Sequence, residues 1–139
     1  MKAQIEKNSH VGKQPRILLI EDEAALSKVL SLVLTGGGFD VCVATTGAHG
    51  LRLAEEKNYD LILSDIDLPD MDGFEICRRS KQNPNLQAVP IILMSGRLRE
   101  ENEARALKLG AADYLSKPFR AAIVLTKISL HIREAKKGL

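Results

Sequence analysis

Four short apolar stretches of this 139-residue chain each run into a residue type that can do chemistry. Arg16-Ile17-Leu18-Leu19-Ile20 leads into Glu21-Asp22-Glu23, and Leu61-Ile62-Leu63-Ser64 ends in Asp65. Val89-Pro90-Ile91-Ile92-Leu93-Met94 ends in Ser95-Gly96, and Asp113-Tyr114-Leu115-Ser116 ends in Lys117-Pro118. Brought to one place, Glu21, Asp22 and Asp65 would repel, each like-charged pair at ~4 Å costing on the order of 4 kcal/mol before relaxation. One lysine against three acids leaves 1 − 3 = −2, the charge that a single hard divalent cation balances. Mg²⁺ prefers one or two carboxylates together with waters and phosphate oxygens. A carboxylate can itself attack phosphorus, and such a transfer depends on positioning and charge neutralisation. Asp65 is then the nucleophile, with Asp22 and the backbone carbonyl of Asp67 as metal ligands. Lys117 supplies a compact positive charge, Ser95 a hydroxyl donor, and Gly96 an open approach. Taken alone, residues 61–73 fit equally well a loop aspartate that caps the helix beginning near Gly73.

The elements between these residues decide whether they meet. A continuous apolar run is the mark of a strand covered on both faces, so the four stretches read as buried parallel strands, and 40–44 adds a fifth. Leu26, Val29, Leu30 and Val33 fall at i, i+3, i+4 and i+7, predicting a helix over 24–35 that stops at Gly36-Gly37-Gly38. No helix opens directly after these glycines, which makes them a helix stop rather than a phosphate loop. Further helices are predicted over 47–57 with Leu51 and Ala54 inward, over 74–81, over 99–109 and over 121–136. Five strands alternating with five helices give a doubly wound parallel α/β domain. In the flavodoxin-like order 2-1-3-4-5, strands 1 and 3 are neighbours at the switch point, where the crevice at the strands' carboxyl ends takes ligands.

Composition narrows the field. The chain is the length of one domain, with 45% hydrophobic and 27% charged residues, as in an ordinary globular protein. A net charge of +2 and an aromatic content of 4% do not point to nucleic acid as a direct partner. Cys42 and Cys77 lack C-x-x-C spacing and are expected to be buried free thiols, which suits a cytoplasmic location. No apolar run reaches the ~18–20 residues of a membrane helix, and 1–14 reads as a polar, loose extension without a signal-peptide core. His10, His49 and His131 show no metal-ligand spacing and are expected at the surface or its boundary.

Residues 18–23, 63–73, 92–96 and 110–119 together resemble the receiver domain of two-component response regulators, over about residues 16–132. The resemblance implies that Asp65 is the phosphoacceptor, Asp22 a direct Mg²⁺ ligand and Glu21 a ligand reached through water. Ser95 and Tyr114 are then the switch pair, Lys117 the phosphate contact, and the Lys117–Pro118 bond cis. It also implies a sensor histidine kinase or a histidine phosphotransfer protein as partner, and an output face formed by the fourth helix, last strand and last helix. Two departures stand out: Glu21 replaces the commoner aspartate, and Gly96 a common alanine. Asp67 and Arg97 occupy the variable positions beside the phosphoryl group, where they are expected either to pair across the opening and tune dephosphorylation or to stand as two solvated charges.

On the last helix Ala121, Val124, Leu125, Ile128 and Ile132 fill one side, while Ile123 and Leu130 project away from it. Those two are expected to form a homodimer or partner surface. The receiver is taken as residues 15–137, with no output domain in the sequence given. Two other classes stay in view. A haloacid-dehalogenase-type phosphatase shares the D-x-D of Asp65-Ile66-Asp67, although its later acids are missing after Lys117. A non-phosphorylated interaction module would require a missing site residue, and none is missing.

Overall fold

The computed structural model describes residues 14–96 and 99–137. Five strands, β1 (Arg16–Ile20), β2 (Asp40–Ala44), β3 (Leu61–Asp65), β4 (Ile91–Ser95) and β5 (Asp113–Ser116), form one parallel sheet in the order β2-β1-β3-β4-β5. Five helices alternate with them: α1 (Ala24–Gly36), α2 (Gly47–Glu56), α3 (Gly73–Gln82), α4 (Arg99–Lys108) and α5 (Ala121–Lys137). This is the flavodoxin-like arrangement expected from the alternation of apolar runs.

Successive strand side chains point to opposite faces, and each face has its own core. Leu18, Ile20, Ile62, Ile91 and Leu93 pack with Ala54 of α2, Phe74, Ile76 and Cys77 of α3, and Ala106 of α4. Ile17, Leu19, Leu61, Leu63, Ile92, Met94 and Leu115 pack with Leu30 and Leu34 of α1 and with Val124, Ile128 and Ile132 of α5. Burial on both faces explains why the strands read as unbroken apolar runs.

Several local expectations change. In α1 the buried positions are Leu30 and Leu34, whereas Val29 is 56% exposed. Residues 29–34 are apolar on nearly every side, so periodicity alone did not select the stripe that meets the sheet. In α5 burial begins only at Val124, leaving Ala121 exposed. β4 begins after Pro90, which has no N–H for a ladder but whose carbonyl accepts from Ile62 N at 2.9 Å. Cys77 is buried, but Cys42 on the sheet edge is only half-buried. The glycine run does end α1: Gly38 has φ 95° and Phe39 N donates back to Leu34 O at 3.1 Å. His49 and His131 are half-buried boundary residues, and His10 lies outside the described residues. Among the described residues no helix is long and apolar enough to cross a membrane.

Candidate functional site

The backbone ladder runs one residue past three strands and thereby sets the site. Glu21 N donates to Ala44 O at 3.0 Å, Ile66 N to Met94 O at 2.9 Å and Lys117 N to Ser95 O at 2.9 Å. Glu21, Asp65, Ser95 and Lys117 are therefore held at the carboxyl edge of the sheet by main-chain bonds rather than by loop conformation. Gly73 closes the loop beyond Asp65: its N–H donates to Ile66 O at 2.9 Å, and a Cβ there would lie 2.6 Å from Asp65 O. The helix-capping alternative for Asp65 fails, because Asp72 caps α3 by accepting from Glu75 N at 2.9 Å.

Carboxylate oxygens of Glu21, Asp22 and Asp65 all lie within 4.8 Å of one another. Glu21 and Asp65 are buried, and Asp22 is exposed at the mouth. Lys117 Nζ bridges the two buried acids, 3.0 Å from Asp65 Oδ2 and 3.1 Å from Glu21 Oε1. Burial pushes the Glu21 carboxyl up to about 6, opposed by the hydrogen bond from Glu23 N and reinforced by the charge of Asp65, with Lys117 pulling it back. Burial alone would pull the Lys117 ammonium down, but its hydrogen bonds and proximity to Asp65 and then Glu21 carry it above its ordinary value. The first shift reflects the burial of Glu21 and the second the bridging of Asp65 and Glu21 by Lys117, in a cleft that water only partly reaches.

Asp67 lies on the loop two residues past Asp65, and its N–H donates to Asp65 Oδ1 at 3.1 Å. Ser95 is fully buried, its hydroxyl 3.4 Å from Asp67 Oδ2. Arg97 lies outside the described residues, so its pairing with Asp67 does too. The Lys117–Pro118 bond is cis. Tyr114 is 3% exposed, with its hydroxyl buried and lacking a partner among the described residues. The ring thus already lies inward. Among the described residues a Cβ at Gly96 would meet Lys117 Cβ, at an ordinary 3.8 Å, so the lack of a side chain there leaves room beside the lysine.

Sequence reasoning missed two features. Asp70 accepts from Gly47 N and Ala48 N, both at 2.8 Å, capping α2 from a loop 23 residues away in the chain. Asp113 at the start of β5 accepts from Lys127 at 2.9 Å and pairs with His131 Nε2 at 2.8 Å. The i, i+4 spacing of Lys127 and His131 was a usable signal for a shared partner.

Fold and cleft together define a doubly wound α/β domain with a buried, lysine-bridged acidic site at its switch point. The family model of the response regulator receiver domain matches residues 17–129, and the chain belongs to that family. It is a receiver domain of two-component signalling, which decides against the dehalogenase-type phosphatase. The chain is 36% identical over 121 residues to the cell cycle response regulator CtrA of Brucella ovis, covering 87% of this chain and 51% of that protein. It therefore spans about half the length of the curated relatives it matches. Its fold is shared with a CheY-like receiver domain protein of Methanospirillum hungatei, at 30% identity and TM-score 0.84 over 91% of this chain and 100% of that one. It is also shared with the receiver domain of a Pseudomonas aeruginosa sensor histidine kinase, at 32% identity and TM-score 0.80 over 86% and 98% of the two chains. That neighbour carries a magnesium ion coordinated in its active-site cleft.

Proposed function

We propose that this domain accepts a phosphoryl group on Asp65 from a phosphohistidine of a sensor histidine kinase or histidine phosphotransfer protein. The observation that carries the reading is the meeting of three carboxylates within 4.8 Å beside a lysine 3.0 Å from one of them. The donors are all hard oxygen, and the three carboxylates with Lys117 sum to 1 − 3 = −2, which fits Mg²⁺. Glu21, Asp22, Asp65 and the Asp67 carbonyl are the groups that would hold the ion. When bound, Mg²⁺ supplies neutralisation of the carboxylates and of the incoming phosphoryl oxygens.

The chain's own residues do the rest. An Asp65 oxygen attacks phosphorus and the P–N bond of the donor breaks, the departing imidazole keeping the electron pair and taking a proton from solvent. Lys117 follows the new charge on the phosphoryl oxygens, and Ser95 donates its hydroxyl to one of them. The inward Tyr114 makes the switch a change of population: phosphorylation holds a conformation the domain already visits. Hydrolysis of the aspartyl-phosphate would be tuned by Asp67 and Arg97.

Residues 15–137 form the receiver unit in this reading, acting in the cytoplasm. The output face is α4, β5 and α5, with Ile123 and Leu130 of α5, 47% and 41% exposed, as its apolar contact for a second copy or a partner. A groove of about 380 Å³ beside Ile123, lined also by Tyr114 and Phe119, supports the same face.

Intact mass after incubation with acetyl phosphate and Mg²⁺ tests the central step. The parent gains one phosphoryl group, and Asp65→Ala or omission of Mg²⁺ gives none. A gain that survives Asp65→Ala would overturn the assignment.

A further inference from the structure

The loop of residues 67–72 joins Asp65 to α3, and both of its ends are fastened. On one side Asp67 N donates to Asp65 Oδ1 at 3.1 Å, and on the other Gly73 N returns to Ile66 O at 2.9 Å. Between these ends Pro69 and Asp70 are exposed. The hold there comes from elsewhere in the chain. Both Asp70 carboxylate oxygens accept from the first two N–H groups of α2, at 2.8 Å each. Met71 packs against the same helix start so closely that a Cβ on Gly47 would lie 2.5 Å from Met71 Cγ. Two unsatisfied donors at a helix N-terminus, where the macrodipole favours an anion, make a firm anchor for a carboxylate. Desolvation opposes ionisation of Asp70, but the N–H groups of Ala48 and Gly47 outweigh it and hold its carboxyl below the ordinary range.

We infer that Asp70 is a positioning residue for the metal site, strapping the loop that carries Asp67 to the first turn of α2. The inference rests on the proposed Mg²⁺ site and adds to it a residue that touches neither metal nor phosphoryl group. Its logic is preorganisation: a backbone carbonyl is a ligand only if its loop is held, and the hydrogen bonds that tie the middle of this loop to α2 come from the Asp70 side chain. α2 has a second cap that separates helix stability from loop position. Thr46 Oγ1 accepts from His49 N at 3.1 Å and makes no bond to the loop.

Calorimetric titration with MgCl₂ and urea unfolding, on the parent, Asp70→Ala, Asp70→Asn and Thr46→Ala, test the inference. Both alanine variants lower stability by loss of a cap. Asp70→Ala alone weakens Mg²⁺ binding, by about tenfold, the low end for residues acting behind a metal ligand. Asp70→Asn, which keeps one acceptor oxygen, falls between parent and alanine. Equal Mg²⁺ affinity in parent and Asp70→Ala, or an equal loss in Thr46→Ala, overturns the positioning role while leaving the metal site standing. A parent that binds no Mg²⁺ overturns both.

Discussion

Two carboxylate–lysine clusters lie on this sheet, and they are built from nearly the same residue types to opposite effect. At the carboxyl edge Lys117 is shared by Glu21 and Asp65, with Asp22 adding a third acid. At the opposite edge, where β5 begins, Asp113 is a single acid that takes Lys127, His131 and its neighbour's backbone, Tyr114 N at 2.8 Å. Among the described residues the first cluster has more negative charge than its partners neutralise, and the second has all its acceptors matched. The presence of an acid–base pair therefore does not mark a reactive site. In the proposed reading the unmatched remainder does, since a deficit of cation is what a metal and a phosphoryl contact can fill.

The comparison is broken most severely by removing the shared lysine. Lys117→Met leaves the buried Glu21 and Asp65 facing each other without a cation, and loss of one partner of a buried pair typically costs about 3–5 kcal/mol. Urea unfolding in chelator is expected to show a loss of that order. Added Mg²⁺ should then restore more stability to the variant than it adds to the parent, because the competing ammonium is gone. A variant whose unfolding ignores Mg²⁺ would remove the claim that the cleft is short of cation.

The Asp113 cluster should respond in the opposite sense. Asp113→Asn weakens hydrogen bonds to charged groups, worth about 1 kcal/mol after discounting for the partial exposure of Lys127. It should leave Mg²⁺ binding and phosphoryl gain as they were. Burial pushes the Asp113 carboxyl up, but Lys127, His131 and Tyr114 N pull it further down, so its folded-state value is depressed. A depressed carboxylate stabilises fully above its unfolded pKa of about 4 and loses that contribution as pH falls through the folded value. The part of the gap between parent and variant that comes from Asp113 ionisation is thus fully present above its unfolded pKa and is lost in acid. A gap that widened below pH ~4 would mean that Asp113 is not the group responsible.

Both clusters differ also in how far the sequence announces them. Glu21, Asp65, Ser95 and Lys117 each follow an apolar run, and because parallel strands in a doubly wound sheet all end at one edge, reading the runs amounts to locating the site. Asp113 begins a run instead of ending one, and its partners come from the next helix. Asp70 was missed for a related reason: in a loop rich in aspartates, local caps such as Asp72 are visible from spacing, but a bond to a helix 23 residues upstream is set by tertiary contact. Val29 failed where periodicity is degenerate, its helix being apolar on several sides. Tyr114 was identified through family resemblance, but its inward position depends on packing that no pattern encodes.

The smallest change in stability is expected where the two clusters meet output. α5 is pinned to β5 by Lys127 and His131 on Asp113, and the same helix carries Ile123 and Leu130 outward. Exposed side chains contribute little to folding, so Ile123→Ser with Leu130→Ser should shift unfolding by less than about 0.5 kcal/mol. Sedimentation of the phosphorylated domain should nonetheless show weaker self-association, or the same pair should weaken capture of a partner. Asp113→Asn provides the complement, because it loosens the helix while leaving its apolar residues in place. If the exposed pair forms the contact and the Asp113 cluster only holds the helix, the double serine variant abolishes association at nearly full stability, and Asp113→Asn reduces it in proportion to lost stability. Association untouched by the double variant would place the output of this receiver on another face.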